Sequence, residues 1–313
     1  MIFEVDGRKI QSFEKIVINH DFNTIAATFA VSGVKNAKIN ALYHKKVVIR
    51  EDSGAFALSG IITDVFESDN PVPEKPNLSG YSEAGILEDV TVSLQDYPLE
   101  LSNVTIVDVV EKWAKRYING NDFFVKDFED AINVLFATVT AEPTERVKSI
   151  INRLATARGL FMTYATDGTG SQLRFYTNPL EFAKRYNSEK FIQNIEYGTA
   201  ARELHSHITI HLQGGGDDSQ IFTVENKLAN SFRPISYVMT EGEGRFINFY
   251  AYKKIAAELL NITCNFTSEK IMRTGGIIKI SGREWFITQS SREVTSASDL
   301  TKYTAVPVET YMI

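Results

Sequence analysis

The chain has 313 residues, of which 43% are hydrophobic and 23% charged, with a formal net charge of −6 at pH 7 and a pI near 5.5. This composition is ordinary for a folded globular protein, and the length suits about two domains. The acidic balance disfavours sequence-independent binding of nucleic acid, which needs a surplus of Lys and Arg to displace counterions.

The cysteine count and the N-terminus set further bounds. Cys264 is the single cysteine, so a disulfide within the chain and an all-cysteine metal site are excluded. The start, MIFEVDGRKI, carries charges every few residues, and no stretch approaches the 18 or so apolar residues of a membrane span. We therefore expect no signal peptide and no stable membrane insertion, and a protein that is made in a cytoplasm and stays soluble.

The first 95 residues predict strands. Asp6-Gly7 between two short apolar runs is a strong hairpin signal. EKIVINH, TIAATFAVSG and HKKVVIREDSGAFALSGIITDVFESD continue as strands, with a bend or bulge near Gly60, and NPVPEKP (70–76) reads as a loop. The stretch 78–93, LSGYSEAGILEDVTVS, predicts a strand ending near Gly80, a polar turn and a step into another strand. About six strands without a helix indicate a small barrel or sandwich.

The middle of the chain changes character. Residues 103–117 place Ile106, Val109, Val110, Trp113 and Tyr117 at helical spacing. A second helix is predicted over 143–158, opened by Pro143 or Thr144 and ended by Gly159. A hairpin turning at Asp167-Gly168 follows it, and residues 118–142 read as strand pieces with a loop.

From about residue 200 the strands return. HSHITIHL, QIFTV and PISYVMT precede a helix over 245–261, which places Phe249, Tyr252, Ala256, Leu259 and Leu260 on one face and Lys253, Lys254 and Glu258 on the other. The end, GGIIKISGREWFITQSSREV and KYTAVPVETY, is again β. The predicted fold class is a β-rich α+β protein: barrel-like domains at 1–95 and 201–313 around a small α/β middle at 96–200.

The HSHITIH segment is the sharpest metal candidate. In a strand, His205, His207 and His211 share one face and Ile208 and Ile210 the other. Two such His can ligate one ion when a third ligand comes from elsewhere. No HExxH helix or suitably spaced carboxylate accompanies them, so a half-buried strand with a polar outer face is the interpretation we favour.

The sequence supports the other candidate functional sites even less. GGGDDS (214–219) lacks the GK[ST] ending of a phosphate loop and precedes a strand, so it indicates a hairpin tip. The neighbouring carboxylates Glu129/Asp130 and Asp217/Asp218 lie in turn-like sequence, whereas an acid/base pair needs opposed groups. Cys264 has no His near it in sequence and is predicted to be a small buried hydrophobe. We predict no catalytic, cofactor-binding or metal-binding residue, and hence no enzyme.

The stretch 78–93 resembles the G-R-S-x-x-G-x-L-x-D step of baseplate hub proteins from phage Mu and its relatives, also called tail or late control proteins. The matching residues are Gly80, Tyr81, Ser82, Gly85, Leu87 and Asp89, with Tyr81 in place of the usual Arg. Ser82 and Asp89 are expected to cap loop amides, and Ile86 and Leu87 to plug the base of the barrel. The opening hairpin, the segment around Gly60, TERVKSIINRLATARGL and FRPISYVMT are similar to further blocks of the family, in the same order.

The resemblance implies a homotrimeric hub in the tail baseplate of the virion, assembled in the host cytoplasm. Two tube-like barrels per subunit present a pseudo-sixfold ring to the tail tube protein, while the middle domains face the central spike protein and other baseplate proteins lie around them. The alternatives are a hub-like part of a contractile injection or type VI secretion spike and, from another class, a tail-associated cell-wall hydrolase. If the strand with His205, His207 and His211 lay near a threefold axis, three copies could share a structural ion.

Overall fold

The computed structural model shows a β-rich chain, which confirms the predicted class. It describes residues 1–10, 12–22, 24–34, 42, 44–66, 76–118, 123–127, 130–166, 171–187, 189–213, 220–229, 231–239 and 246–311. Residues 70–75 of the loop predicted at 70–76, and the turns predicted at 167–168 and 214–219, lie outside these residues.

The strands and helices are as follows, in chain order. The strands are β1 Ile2–Val5, β2 Arg8–Ile10, β3 Lys15–Asp21, β4 Thr28–Ser32, β5 Lys46–Arg50, β6 Phe56–Phe66, β7 Asn77–Ser82, β8 Glu100–Val104, β9 Phe123–Asp127, β10 Phe136–Thr140, β11 Phe161–Thr166, β12 Ser171–Tyr176, β13 Arg185–Tyr186, β14 Ile192–Thr199, β15 His207–Leu212, β16 Ile221–Glu225, β17 Pro234–Met239, β18 Ile262–Ser268, β19 Ile277–Ile280, β20 Arg283–Thr295 and β21 Asp299–Pro307. The α-helices in the described residues are α1 Ile106–Val109, α2 Val147–Ala157 and α3 Ile247–Leu259.

The first turn forms as predicted. Asp6 and Gly7 both have positive φ, at 47° and 74°. Two such residues in succession make the turn whose twist matches a two-residue hairpin. β1 and β2 therefore pair antiparallel with Val5 opposite Arg8.

One large curled sheet carries the fold. Its strand order is β14-β18-β21-β20-β3-β4-β7-β6-β5-β1-β2, with β13 and β19 attached beside β20. At its centre, Lys15–Asp21 of β3 pairs antiparallel with 289–295 of β20. We call this pairing the seam, because it joins a first half built from β1–β7 to a second half built from β13, β14 and β18–β21.

Each half of the sheet has its own apolar core. The first half buries alternate residues of its strands, among them Phe3, Ile16, Phe29, Val47 and Ile49. The second half does the same with Cys264, Phe266, Ile278, Ile287 and Tyr303. Period-2 burial of this kind is what the alternating sequence pattern predicts.

The middle region packs two small sheets against α1 and α2. β8 pairs with β10, and β11, β12 and β9 form a three-stranded sheet in which β9 and β12 run parallel. Trp113, Ile150 and Leu154 are fully buried between these elements. The predicted hairpin of β11 and β12 is confirmed by their antiparallel register.

Both predicted helix starts in this region are wrong. The first helix begins at Ile106 instead of 103, because 100–104 pairs as β8 and Thr105 caps the helix. The Thr105 hydroxyl accepts from the Asp108 amide at 3.1 Å, and the Asp108 carboxylate accepts from the Thr105 amide at 2.8 Å. The second helix begins at Val147 after a turn at 143–144, since Arg146 bridges to Thr91. Its predicted end is confirmed by Gly159, which has φ +69°.

The stretch 78–93 folds only partly as predicted. β7 is followed by a 3₁₀ helix over Glu83–Glu88, and beyond it only Thr91 makes an isolated bridge, so the second strand predicted there is wrong. Leu87 is fully buried, but in the core of the middle region. Ile86 and Leu87 therefore do not plug the base of the first half as predicted, because both pack in the core of the middle region.

A third layer forms near the second half. β16, β15 and β17 make a small sheet in which Ile208 and Ile210 are fully buried, as predicted, beneath α3. Ala256 and Leu259 of α3 are buried as predicted, whereas Phe249 and Tyr252 are only partly buried.

The predicted polar face of α3 is wrong. Glu258 is 8% exposed, and the ammonium of Lys253 donates to Thr156 Oγ1 at 3.2 Å. The helix is covered on two sides, because Ala256 belongs to a second buried cluster, which includes Phe286 of the large sheet. Its polar residues are therefore partly inside.

An aromatic cluster joins all three parts of the chain. Phe22, which follows β3, has its ring centroid 4.9 Å from Phe286 and 6.2 Å from Tyr176. Tyr311 lies 4.5 Å from Phe286 and 5.1 Å from Phe161. Residues 185–199, which the prediction assigned to the middle domain, supply β13 and β14 to the large sheet. The domain ranges 1–95, 96–200 and 201–313 stay a prediction.

No helix in the described ranges is both long and apolar enough to cross a membrane.

Candidate assembly surface

Arg292 is the polar centre of the seam. From β20 its guanidinium donates to Asp299 Oδ1 at 2.8 Å, to Glu51 Oε2 at 3.0 Å and also to Glu51 Oε1. Its side chain is 10% exposed. Burial by itself lowers the pKa of Arg292, but the hydrogen bonds to Asp299 and Glu51 outweigh burial and raise it. Because Glu51 follows β5, this group ties the outer strands of the first half to the second.

Further polar pairs line the seam. The Lys15 ammonium lies 2.7 Å from the Glu293 carboxylate, and the Gln289 amide donates to Asp21 at 2.7 Å. Sequence reasoning missed these pairs and Arg292, since no local pattern connects residues so far apart in the chain.

Gly80, together with Gly60, allows β7 to lie close to β6. A Cβ on Gly80 would sit 2.0 Å from the carbonyl oxygen of Ile61, so only glycine allows β6 and β7 to approach this closely. A Cβ on Gly60 would sit 2.1 Å from the Tyr81 carbonyl oxygen. Ser82 Oγ accepts from the Ala27 amide at 3.0 Å, which confirms its predicted capping role.

Tyr81, which stands where the resemblance has Arg, closes the turn. Its hydroxyl donates to Asp89 Oδ2 at 2.6 Å, and its ring lies over Gly85, where a Cβ would be 2.4 Å away. Burial and this hydrogen bond raise the pKa of Tyr81. The Asp89 carboxylate therefore accepts from a side chain, not from the loop amides that the sequence predicted.

The large sheet ends in two edges. Among the described strands, β14 pairs only with β18 and β2 only with β1. β14 exposes Ile195 and Tyr197, at 40% and 58%, next to Phe191 at 41%. An exposed edge with apolar side chains is a template for pairing with another strand.

The two edges differ in charge. β2 carries Arg8 and Lys9, both exposed, whereas β14 carries the exposed Glu196. Sequence reasoning missed β14 altogether, although the β-forming residues of FIQNIEY were a usable signal.

The three histidines that the sequence offered as candidate metal ligands lie in different surroundings in the structure. His205 precedes β15, and both its amide and its ring contact the Glu258 carboxylate, at 2.8 and 2.7 Å. His207 lies on β15 with its Nδ1 3.0 Å from Ser206 Oγ and its ring 5.4 Å from Phe232. His211 is half-buried on the same face of β15 as His207. Within the described part of the chain, no three His, Cys, Asp or Glu side chains are grouped as metal ligands.

The other candidate residues from the sequence are Cys264 and the neighbouring carboxylates. Cys264 is fully buried in β18, and burial raises the pKa of its thiol to about 11, so it is held as an unreactive thiol. This confirms the small buried hydrophobe predicted for it. The pair Asp217/Asp218, the side chain of Asp130 and its neighbour Glu129 lie outside the described residues.

Two solved structures similar to this chain are phage tail proteins. The 43 kDa tail protein of prophage MuSo2 from Shewanella oneidensis superposes with a TM-score of 0.76 at 15% identity, over 99% of this chain and 99% of that one. A tail protein from Neisseria meningitidis MC58 gives 0.75 at 17% identity, over 99% of this chain and 97% of that one. The chain thus has the fold of phage tail proteins, which confirms the resemblance predicted from the sequence at the level of the fold.

A secretion protein shares the fold more distantly. The c3393 protein of E. coli, a component of the type VI secretion system with structural similarity to the T4 tail proteins gp27 and gp5, gives a TM-score of 0.67 at 13% identity. The match covers 97% of this chain and 76% of that one. No protein-family model matches the chain, and no curated protein matches its sequence.

Proposed function

We propose that the chain is a structural hub of a phage tail baseplate, a homotrimer that adapts the sixfold tail tube to a threefold central spike. The observation that carries this proposal is the large sheet, in which an N-terminal and a C-terminal half pair edge to edge across the seam. Two β halves per chain give six in a trimer, which suits a sixfold tube. The full-length likeness to tail proteins supports it.

The two sheet edges supply the contacts that a ring needs. A closed ring uses heterologous contacts, in which one surface of each subunit meets a different surface of the next. In this proposal the edge of β14 in one copy pairs with the edge of β2 in the next, so that Glu196 faces Arg8 and Lys9. Such pairing also covers Ile195 and Tyr197.

Light scattering at low micromolar concentration tests the assembly. The wild-type chain is expected at three times 35.1 kDa. Ile195→Lys places a charge on the β14 edge and is expected to yield a monomer. Val238→Lys is the matched control, because Val238 is 55% exposed on a different sheet, and this variant is expected to stay trimeric. A monomeric wild type, or a trimeric Ile195→Lys protein, would contradict the ring.

A second candidate is the hub-like part of a contractile injection or type VI secretion spike, favoured by the likeness to the c3393 protein. The two functions differ in the tube that the trimer nucleates. Mixing the purified trimer with phage tube protein or with secretion tube protein, and measuring polymerisation by electron microscopy, separates them.

The proposal includes no catalytic activity of the chain itself. It rests on the pairing of His205 with Glu258 and on the burial of Cys264, which leave these side chains in packing roles. Hydrolysis of purified peptidoglycan by the trimer, or stoichiometric zinc lost in a His205→Ala/His207→Ala variant together with its function, would contradict it.

A further inference from the structure

A small cavity lies between α2, β11, α3 and the 3₁₀ helix Val308–Tyr311, near the aromatic cluster. Its volume is about 170 Å³. Phe161, Met162 and Leu260 give it apolar walls, and Lys253 places a cation on the wall. Since pockets for drug-sized ligands begin at about 300 Å³, this one suits a smaller organic molecule.

The ammonium of Lys253 is held in a fixed position. It donates to Thr156 Oγ1 at 3.2 Å and to the carbonyl oxygen of Leu160. An ammonium has three N–H groups, so one remains. Among the residues that the structure describes, no Asp or Glu forms an ion pair with Lys253.

The protein around Lys253 disfavours an unpaired charge. Burial lowers the pKa of Lys253 to about 7, and the positive charge of Lys254 adds to the lowering. Lys254 itself lies over the rings of Tyr237 and Tyr250, at 4.7 and 5.2 Å. A bound anion would offset the cost of burying the Lys253 charge.

We propose that this cavity binds a small monocarboxylate whose carboxylate pairs with Lys253 and whose apolar part lies against Phe161, Met162 and Leu260. One cation matches one negative charge, and the apolar walls disfavour a dianion such as phosphate. Asn152 and Tyr311 also line the cavity and add polar groups to its lining. The site is separate from both sheet edges, so it stands or falls independently of the trimer.

Benzoate and its neutral analogue benzamide are the probes, added to the full chain in calorimetric titration and thermal unfolding at pH 6. Benzoate is expected to bind the wild type and raise its Tm, and benzamide to do neither. Lys253→Met is expected to weaken benzoate binding by at least about tenfold, the loss of a charge-assisted hydrogen bond. Lys254→Met is the matched control, because its ammonium lies over the two tyrosine rings, and is expected to bind as the wild type does.

A second variant and a pH series complete the test. Ala257 is exposed yet lines the cavity, so Ala257→Leu narrows the cavity while Lys253 stays, and it is expected to abolish binding. Between pH 6 and pH 8 the wild type is expected to lose about tenfold in benzoate affinity as Lys253 loses its proton. Absence of benzoate binding to the wild type, equal binding of benzamide, or unchanged binding in Lys253→Met or Ala257→Leu overturns the proposal.

Discussion

One guanidinium holds carboxylates from both halves of the large sheet. Replacing Arg292 by Ala leaves Glu51 without its partner in a partly buried place, since that side chain is 23% exposed. We expect Arg292→Ala to lower the free energy of unfolding by about 2–3 kcal/mol, somewhat below the cost of breaking a fully buried pair. Urea denaturation of the purified chain measures this.

The matched control for Arg292 lies on the same seam. Lys15 and Glu293 are 39% and 46% exposed, so their ion pair is screened by water. Lys15→Ala is expected to change the free energy of unfolding by less than about 1 kcal/mol. If both alanine variants cost the same, Arg292 has no special part in joining the halves.

We expect the stability of the seam to depend on pH through His20, which is half-buried on β3. Burial lowers the pKa of His20 to about 4, and the positive charge of Arg273 contributes. In the unfolded chain the pKa is near 6.5, so the unfolded state binds the proton more tightly. The contribution of neutral His20 is therefore fully present above pH 6.5 and is lost as the pH falls toward 4.

The test compares wild type with His20→Gln at a series of pH values. Between pH 6.5 and pH 4 the wild type is expected to lose on the order of 2 kcal/mol more than the variant. Taking the difference removes the carboxylates that titrate in the same range. Parallel pH profiles for the two proteins would show that His20 is not buried as a neutral ring.

At the scale of single elements, the close approach of β6 and β7 depends on glycine. Gly80→Ala drives a Cβ into the backbone oxygen of Ile61, which cannot rotate away, so β7 must shift. We expect a loss of about 3 kcal/mol in the free energy of unfolding. Gly198→Ala in β14 meets only the side-chain oxygen of Thr263 and is expected to cost less than about 1 kcal/mol. Thermal unfolding of the two variants under the same conditions measures the two losses of stability.

The elements also show what a sequence can predict. The hairpin at Asp6-Gly7, the burial of Ile208 and Ile210 and the end of α2 at Gly159 follow from local rules, and all were predicted correctly. α3 was not, because helical periodicity assumes one buried face, whereas this helix is covered on two sides. For that reason Lys253 and Glu258 were predicted on the face opposite the apolar one, yet they lie partly inside.

At the scale of the whole molecule, the pairing of β3 with β20 was not predicted. Strand patterns in the first and last parts of the chain indicated two β regions and hence the β-rich class. Alternation within a strand says which face is buried, but it does not say which distant strand pairs with it. The candidate assembly surface could not be predicted for the same reason. Tertiary contacts between distant strands are what give Arg292, Glu51 and the β14 edge their place in it.

Truncation after residue 272 tests the seam as a unit. The deletion removes β19, β20 and β21, so that β3 and β18 each lose one of their two neighbours in the large sheet. We expect the truncated chain to lose the trimer in light scattering and to fail to nucleate tubes from purified tube protein. A truncated chain that stays trimeric and still seeds tubes would show that the halves do not need each other.

The pairing of β3 with β20 also has a consequence for translation, because β20 is synthesised long after β3. Asp21 and Gln289, which touch across it, are 268 positions apart. At a synthesis rate of about 5–20 residues per second, β3 leaves the ribosome roughly 13–54 seconds before its partner exists. During that time the edge of β3 that later pairs with β20 is exposed to other nascent chains. The charges of Lys15 and Asp21 disfavour its pairing with a strand of another chain. The first half therefore keeps this edge unpaired until β20 has been synthesised.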